Sequence, residues 1–90
     1  MLEKIKSALR IDDDSLDEEI QDSINAAIAD LKLSGVLETK LDETDPLIIR
    51  AVKTFCKYEF CTDDKESERY KNAYDMIKIH LTLSIDYTEV

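Results

Sequence analysis

The chain has 90 residues, 21 of them acidic and 12 basic, for a formal net charge of −9. That length allows one domain. The acidic excess argues against a generic nucleic-acid binder and against anionic membrane surfaces, both of which call for a basic footprint. With 43% hydrophobic residues the chain is too apolar for a disordered acidic tail. One Gly and one Pro leave little material for the tight turns of a sandwich or barrel. An all-α fold is the remaining reading: a small bundle of about four helices over residues 1–83, followed by a flexible C-terminal tail, 84–90.

The first predicted helix is short, about residues 2–9, with Leu2, Ile5, Ala8 and Leu9 on one stripe. Ile11 and the run Asp12-Asp13-Asp14 follow. The second helix is long and amphipathic, about residues 16–33. Ser15 is placed as its N-cap, with Glu18 completing a capping box. Asp17, Glu18 and Glu19 fall in its first turn, where the helix dipole favours negative charge. Leu16, Ile20, Ile24, Ala27, Ile28 and Leu31 recur at three- and four-residue steps, and Gly35 stops the helix.

Residues 35–44 read as a loop with an extended piece at Val36-Leu37. Asp45-Pro46 opens the apolar third helix, since Asp is a good N-cap and Pro suits the first helical position. Ile48, Ile49, Val52, Phe55, Cys56, Glu59 and Phe60 are read near one broad face, and the helix ends near Cys61. The fourth helix runs from Asp64 or Lys65 to Leu83, with Tyr70, Ala73, Tyr74, Ile77 and Leu81 as its apolar stripe. Glu66 and Tyr70, then Lys71 and Asp75, are i,i+4 neighbours. Tyr58, Tyr70 and Tyr74 occupy core-compatible positions, while Tyr87 in the tail reads as an anchor for a partner. Residues 84–90 carry no capped pattern.

Chemistry finds little purchase. Started at Asp12 or Asp13, an EF-hand register fails: it lacks Gly at position 6 and Glu at position 12. The acids read as a solvated run at a helix start. Cys56 and Cys61 lie about 140° apart on a helix, which disfavours an intrahelical disulfide. With His80, the only histidine, they lack the fourth ligand and the spacing of a zinc site. No phosphate loop, dinucleotide fingerprint or nucleophile elbow is present. The sequence therefore predicts no enzyme, no cofactor, no metal and no catalytic residue. No stretch approaches the ~18 apolar residues of a membrane span, and the opening lacks the apolar core of a signal peptide. Both point to a cytosolic setting.

Charge is uneven. Residues 1–45 carry 13 acids and 5 bases, net −8, and residues 46–90 carry 8 acids and 7 bases, net −1. The end around the start of the second helix should be strongly negative.

The order of these features is familiar. Leu9-Arg10-Ile11-Asp12 ends a short helix. Acids follow, then Leu16-Asp17-Glu18-Glu19-Ile20 opens a long helix. Asp45-Pro46-Leu47-Ile48-Ile49-Arg50-Ala51-Val52 opens an apolar one ending in aromatics. Over residues 1–83 this resembles the small head–tail connector proteins of tailed bacteriophages and prophages, also called head-completion or DNA-packaging adaptors. The resemblance implies a subunit made in the host cytoplasm that assembles with itself into a ring of about a dozen copies. The ring would sit at the head–tail junction beneath the portal protein. It would extend the DNA channel without sequence-specific binding and offer a surface to a tail or stopper protein. Such a ring is heterologous, so each subunit needs two different complementary faces. Asp12, Asp13, Asp14, Asp17, Glu18 and Asp22 are the candidates for one face or for the channel. Arg50, Lys53, Lys57, Arg69 and Lys71 are the candidates for the other. The competing reading from composition alone is an acidic helical module that sequesters a basic or DNA-binding partner.

Overall fold

In the structure, a computed structural model that describes residues 1–89, the chain forms α1 (Leu2–Leu9), α2 (Asp17–Leu33), a 3₁₀ turn (Glu38–Lys40), α3 (Pro46–Phe60), α4 (Asp64–Leu83) and a last short helix α5 (Ile85–Thr88). The four longer helices are those the periodicity predicts. The all-α architecture is as read from the sequence.

Local chemistry sets most of the boundaries. Asp45 Oδ1 accepts from the Leu47 amide at 2.9 Å, with Pro46 at the first helical position. Asp63 caps α4 by accepting from the Lys65 and Glu66 amides at 2.9 and 3.2 Å. Gly35 ends α2 at φ +114°. The Gly35 amide donates to Lys32 O and the Val36 amide to Leu31 O, which is a Schellman closure. The same pattern ends α1, but Arg10 holds the left-handed position at φ 59°. A side chain there costs about 1 kcal/mol that glycine would not.

The start of α2 departs from the predicted capping box. The Ser15 hydroxyl and amide both donate to Asp13 Oδ1, at 2.7 and 3.1 Å. Ser15 is thereby held in a local Asx turn, and the helix begins two residues later, with Leu16 at its N-cap and no side-chain cap. The α4 stripe also needs one correction. Tyr74 and Leu81 are buried and Tyr70 and Ile77 half-buried, but Ala73 is exposed. On α3 the buried residues are Ile48, Ala51, Val52 and Cys56. Ala51 belongs to the face, and exposed Glu59 does not.

Two core clusters fix the topology. Ile5, Ile20, Ile24, Ala27, Val52 and Cys56 form the first. Leu31, Val36, Ile48, Ala51, Tyr74 and Leu81 form the second. Early α2 thus meets late α3, and late α2 meets early α3, so the two helices are antiparallel. α4 returns along α3: Phe55 and Tyr74 meet edge-to-face with centroids 5.2 Å apart, and Leu81 joins Ile48. One end of the 39 × 26 × 19 Å domain therefore holds the end of α1, the start of α2, the end of α3 and the start of α4, while the start of α1 reaches the loop before α3, where Lys4 Nζ donates to Glu43 O at 3.0 Å. The other holds the end of α2, the start of α3, the end of α4 and α5.

The C-terminal segment does carry a capped pattern, contrary to the sequence reading. Ser84 Oγ accepts from the Asp86 amide at 3.3 Å. Tyr87 packs on the second cluster of its own chain and donates its hydroxyl to Asp45 Oδ2 at 2.8 Å. The Leu37 amide donates to Tyr87 O at 2.8 Å. The tyrosine expected to anchor a partner is engaged within the chain. Val90 lies outside the described residues.

Candidate assembly surface

The acidic candidates gather around the α1–α2 corner. Asp12, Asp13, Asp14, Glu18 and Asp22 are exposed and Asp17 is partly covered. They are not a uniform set. Lys6 lies buried on the inner side of α1 and reaches both Asp17 Oδ1 at 2.8 Å and Asp14 Oδ1 at 3.0 Å. Those carboxylates, Asp17 first and Asp14 second, hold the Lys6 ammonium well above the usual lysine range. The Ser15 hydroxyl and then its amide hold Asp13 below the usual carboxylate range. Asp12, Glu18 and Asp22 appear in none of the side-chain hydrogen bonds or ion pairs among the described residues. Neutralisation within the subunit therefore reaches the inner acids and leaves an outer set with its charge turned to solvent.

The cationic candidates divide between the two ends. Arg50 is exposed on early α3, with Lys53 half-buried beside it. Lys57 lies on late α3, and Arg69 and Lys71 on the first half of α4, on the same side as the acidic corner. The two halves of the sequence are therefore not the two ends of the domain. Lys71 is paired with Asp75 at 3.1 Å, and Lys57 sits 5.9 Å from the centre of the Tyr70 ring. Leu9, Ile11, Leu16, Lys57, Phe60 and Tyr70 line an open groove of about 340 Å³ next to the acids.

The opposite end is held by hydrogen-bonded tyrosines. Tyr74 Oη donates to Asp30 Oδ2 at 2.6 Å, and Lys78 Nζ reaches the same oxygen at 3.1 Å. Burial pushes the Asp30 carboxyl up, but the Tyr74 and Lys78 bonds outweigh it and leave its pKa lowered. At Tyr87, burial and then the bond to Asp45 push the hydroxyl up to about 12. This end also exposes large apolar side chains: Leu33 is 88% exposed, Leu83 79%, Ile85 67% and Leu47 48%. Sequence reasoning missed Leu33 and Leu47 as surface features because both sit at the edge of an otherwise apolar pattern. It missed Lys6 because its partners lie 8 and 11 residues ahead, beyond helical spacing. Both cysteines are free thiols, and burial pushes the Cys56 thiol up.

A match to known proteins fits this arrangement. A family model described as phage connector protein matches residues 1–88. No curated protein and no solved structure matches the chain. The family is one of structural proteins that interact with other phage head and tail components, which fits a place at the virion head–tail junction. No helix among the described residues is long and apolar enough to cross a membrane. The match spans all five helices, α1 through α5, and on that ground the chain belongs to the phage connector protein family.

Proposed function

We propose that this chain is the ring-forming adaptor of a tailed phage or prophage. Copies of it, about a dozen, close beneath the portal, lengthen the DNA channel and present a surface to a tail or stopper protein. The family match over residues 1–88 carries the reading. The surface supports it. A chain of 90 residues buries only about 60–65% of the surface exposed by its unfolded form. It therefore gains from covering Leu33, Leu47 and Leu83 on neighbours. Among the described residues the carboxylates of Asp12, Glu18 and Asp22 have no partner cation, which suits them to meet a neighbour's cations or to face a channel. Acids along a channel repel phosphates and give no counterion-releasing contact. DNA then slides without sticking.

Sedimentation and negative-stain microscopy of the full chain, alone and with portal-bearing heads, test the proposal. Rings on the portal are the expected result. A strict monomer that also fails to bind such heads rejects it. Salt-sensitive capture of a DNA-binding protein, with no binding to portal, favours the sequestering module instead.

A further inference from the structure

We infer that the outer face of α2 in one copy docks, antiparallel, on the outer face of α3 in the next. This rests on the reading that the chain assembles with itself, and it names the two faces that do so.

The α2 face points away from the core, and the α3 face is the exposed edge beside α4, where Leu47 and Arg50 flank Ile77 and His80 and Lys57 reaches over the Tyr70 ring. On α2, Asp22, Asn25, Ala26, Ala29 and Leu33 are exposed at three- and four-residue steps. On α3, Leu47, Arg50, Thr54 and Lys57 recur in the same way, fully or partly exposed. The two helices pack on one another through their buried sides, so these outer faces are separate surfaces that look in different directions. A contact between them cannot close at a dimer. It must propagate from copy to copy, as a ring requires.

The chemistry of the two faces is complementary. Residues 46–58 carry Arg50, Lys53 and Lys57 and no acid, in a chain of net charge −9. The α2 face carries acid at its start, small side chains in the middle and Leu33 at its end. Asp22 and Leu33 are eleven residues apart, about 16 Å along a helix, and Leu47 and Lys57 are ten apart, about 15 Å. Laid antiparallel, Leu33 meets Leu47 while Asp22 meets Lys57. Ala29 and Ala26 lie between, where their small side chains give room to Arg50 and Thr54. Leu33 also finds a receptacle, an open groove of about 430 Å³ lined by Pro46, Leu47, Ile49, Arg50 and Lys53. A parallel alignment would set Leu33 against Lys57 and Asp22 against Leu47, wasting both contacts. Pairing α3 with α3 would oppose cations, and pairing α2 with α2 would leave the acids uncompensated. A second copy of this chain is the one partner that supplies both complements at matched spacing.

Cross-linking tests the register. In the full chain with Cys61→Ser, the double variant Leu33→Cys and Leu47→Cys is treated with a short bismaleimide, with sedimentation run in parallel. Cys56 is fully buried and does not compete. Leu33 and Leu47 are exposed, so the substitutions leave the fold intact. The expected result is a ladder of dimers, trimers and higher species, and dimers alone from a mixture of the two single variants. Assembly in sedimentation without a ladder overturns this inference and leaves the ring reading standing. A ladder equally strong from a Leu83→Cys and Leu47→Cys control also overturns the register. A strict monomer that does not bind portal-bearing heads sinks both.

Discussion

The two ends of this domain are stabilised in different ways. The end built on Ile5, Ile20, Ile24, Val52 and Cys56 is an aliphatic core whose rim is fastened by one lysine. The end built on Leu31, Ile48, Tyr74 and Leu81 places tyrosines at its border, each donating to a carboxylate from a distant part of the chain. The first arrangement leaves carboxylates on the surface. The second consumes Asp30 and Asp45 and leaves leucines there. The difference shows how one short helical chain carries two unlike surfaces, one acidic and one apolar.

The comparison can be broken most sharply in the aliphatic core. Ile24→Ala should cost about 2–5 kcal/mol, because Ile24 is buried and the surrounding helices close a cavity only in part. Urea unfolding checks this, and a loss under 1 kcal/mol would show that this end is loosely packed. At the other end, Tyr74→Phe keeps the ring and removes only the bond to Asp30. A loss of about 1–2 kcal/mol is expected by the same measurement. Arg10→Gly should act in the opposite direction and stabilise by about 0.5–1 kcal/mol, by relieving the left-handed residue that ends α1. An unchanged midpoint would mean that Arg10 is held there by contacts that offset its strain.

A pH experiment probes two groups of the tyrosine-bordered end alone, with the smallest effect. The Tyr87 hydroxyl has a raised pKa in the folded chain, so the protonated form is favoured by folding. The contribution is present in full below the ordinary tyrosine value near 10 and is lost as pH rises through about 12. NMR signals of Ile85 and Thr88 should shift in that window, and Tyr87→Phe should abolish the shift. Asp30 behaves in the opposite sense. Its lowered pKa gives stability that is present above about 3.9, the unfolded value, and is lost as pH falls below it.

The sequence reveals the four long helices because each rests on local information. Apolar residues recur at helical spacing, Asp45-Pro46 opens α3, and Gly35 closes α2. Where two local devices compete, the reading fails: Asp13 captures Ser15 before Ser15 can cap α2. Where a bond spans more than 40 residues, as from Tyr87 to Asp45 or Tyr74 to Asp30, no local pattern announces it. The candidate acids and cations were legible as residue types, but not their division. Charge counted along the chain placed the cations in one half, whereas the antiparallel path of α3 and α4 returns Lys57 and Arg69 to the acidic side. The faces of α2 and α3 became visible only once burial was known on each helix.

The most direct measurement mixes two charge-reversed chains. One carries Glu18→Lys and Asp22→Lys, so that both of its faces are basic. The other carries Lys53→Glu and Lys57→Glu, so that both are acidic. Sedimentation under conditions in which the unaltered chain assembles should find each variant alone at least tenfold weaker in self-association. Their equimolar mixture should recover assembly, with the two chains alternating. Full assembly by either variant alone, or no recovery on mixing, would contradict the pairing of α2 with α3 between copies.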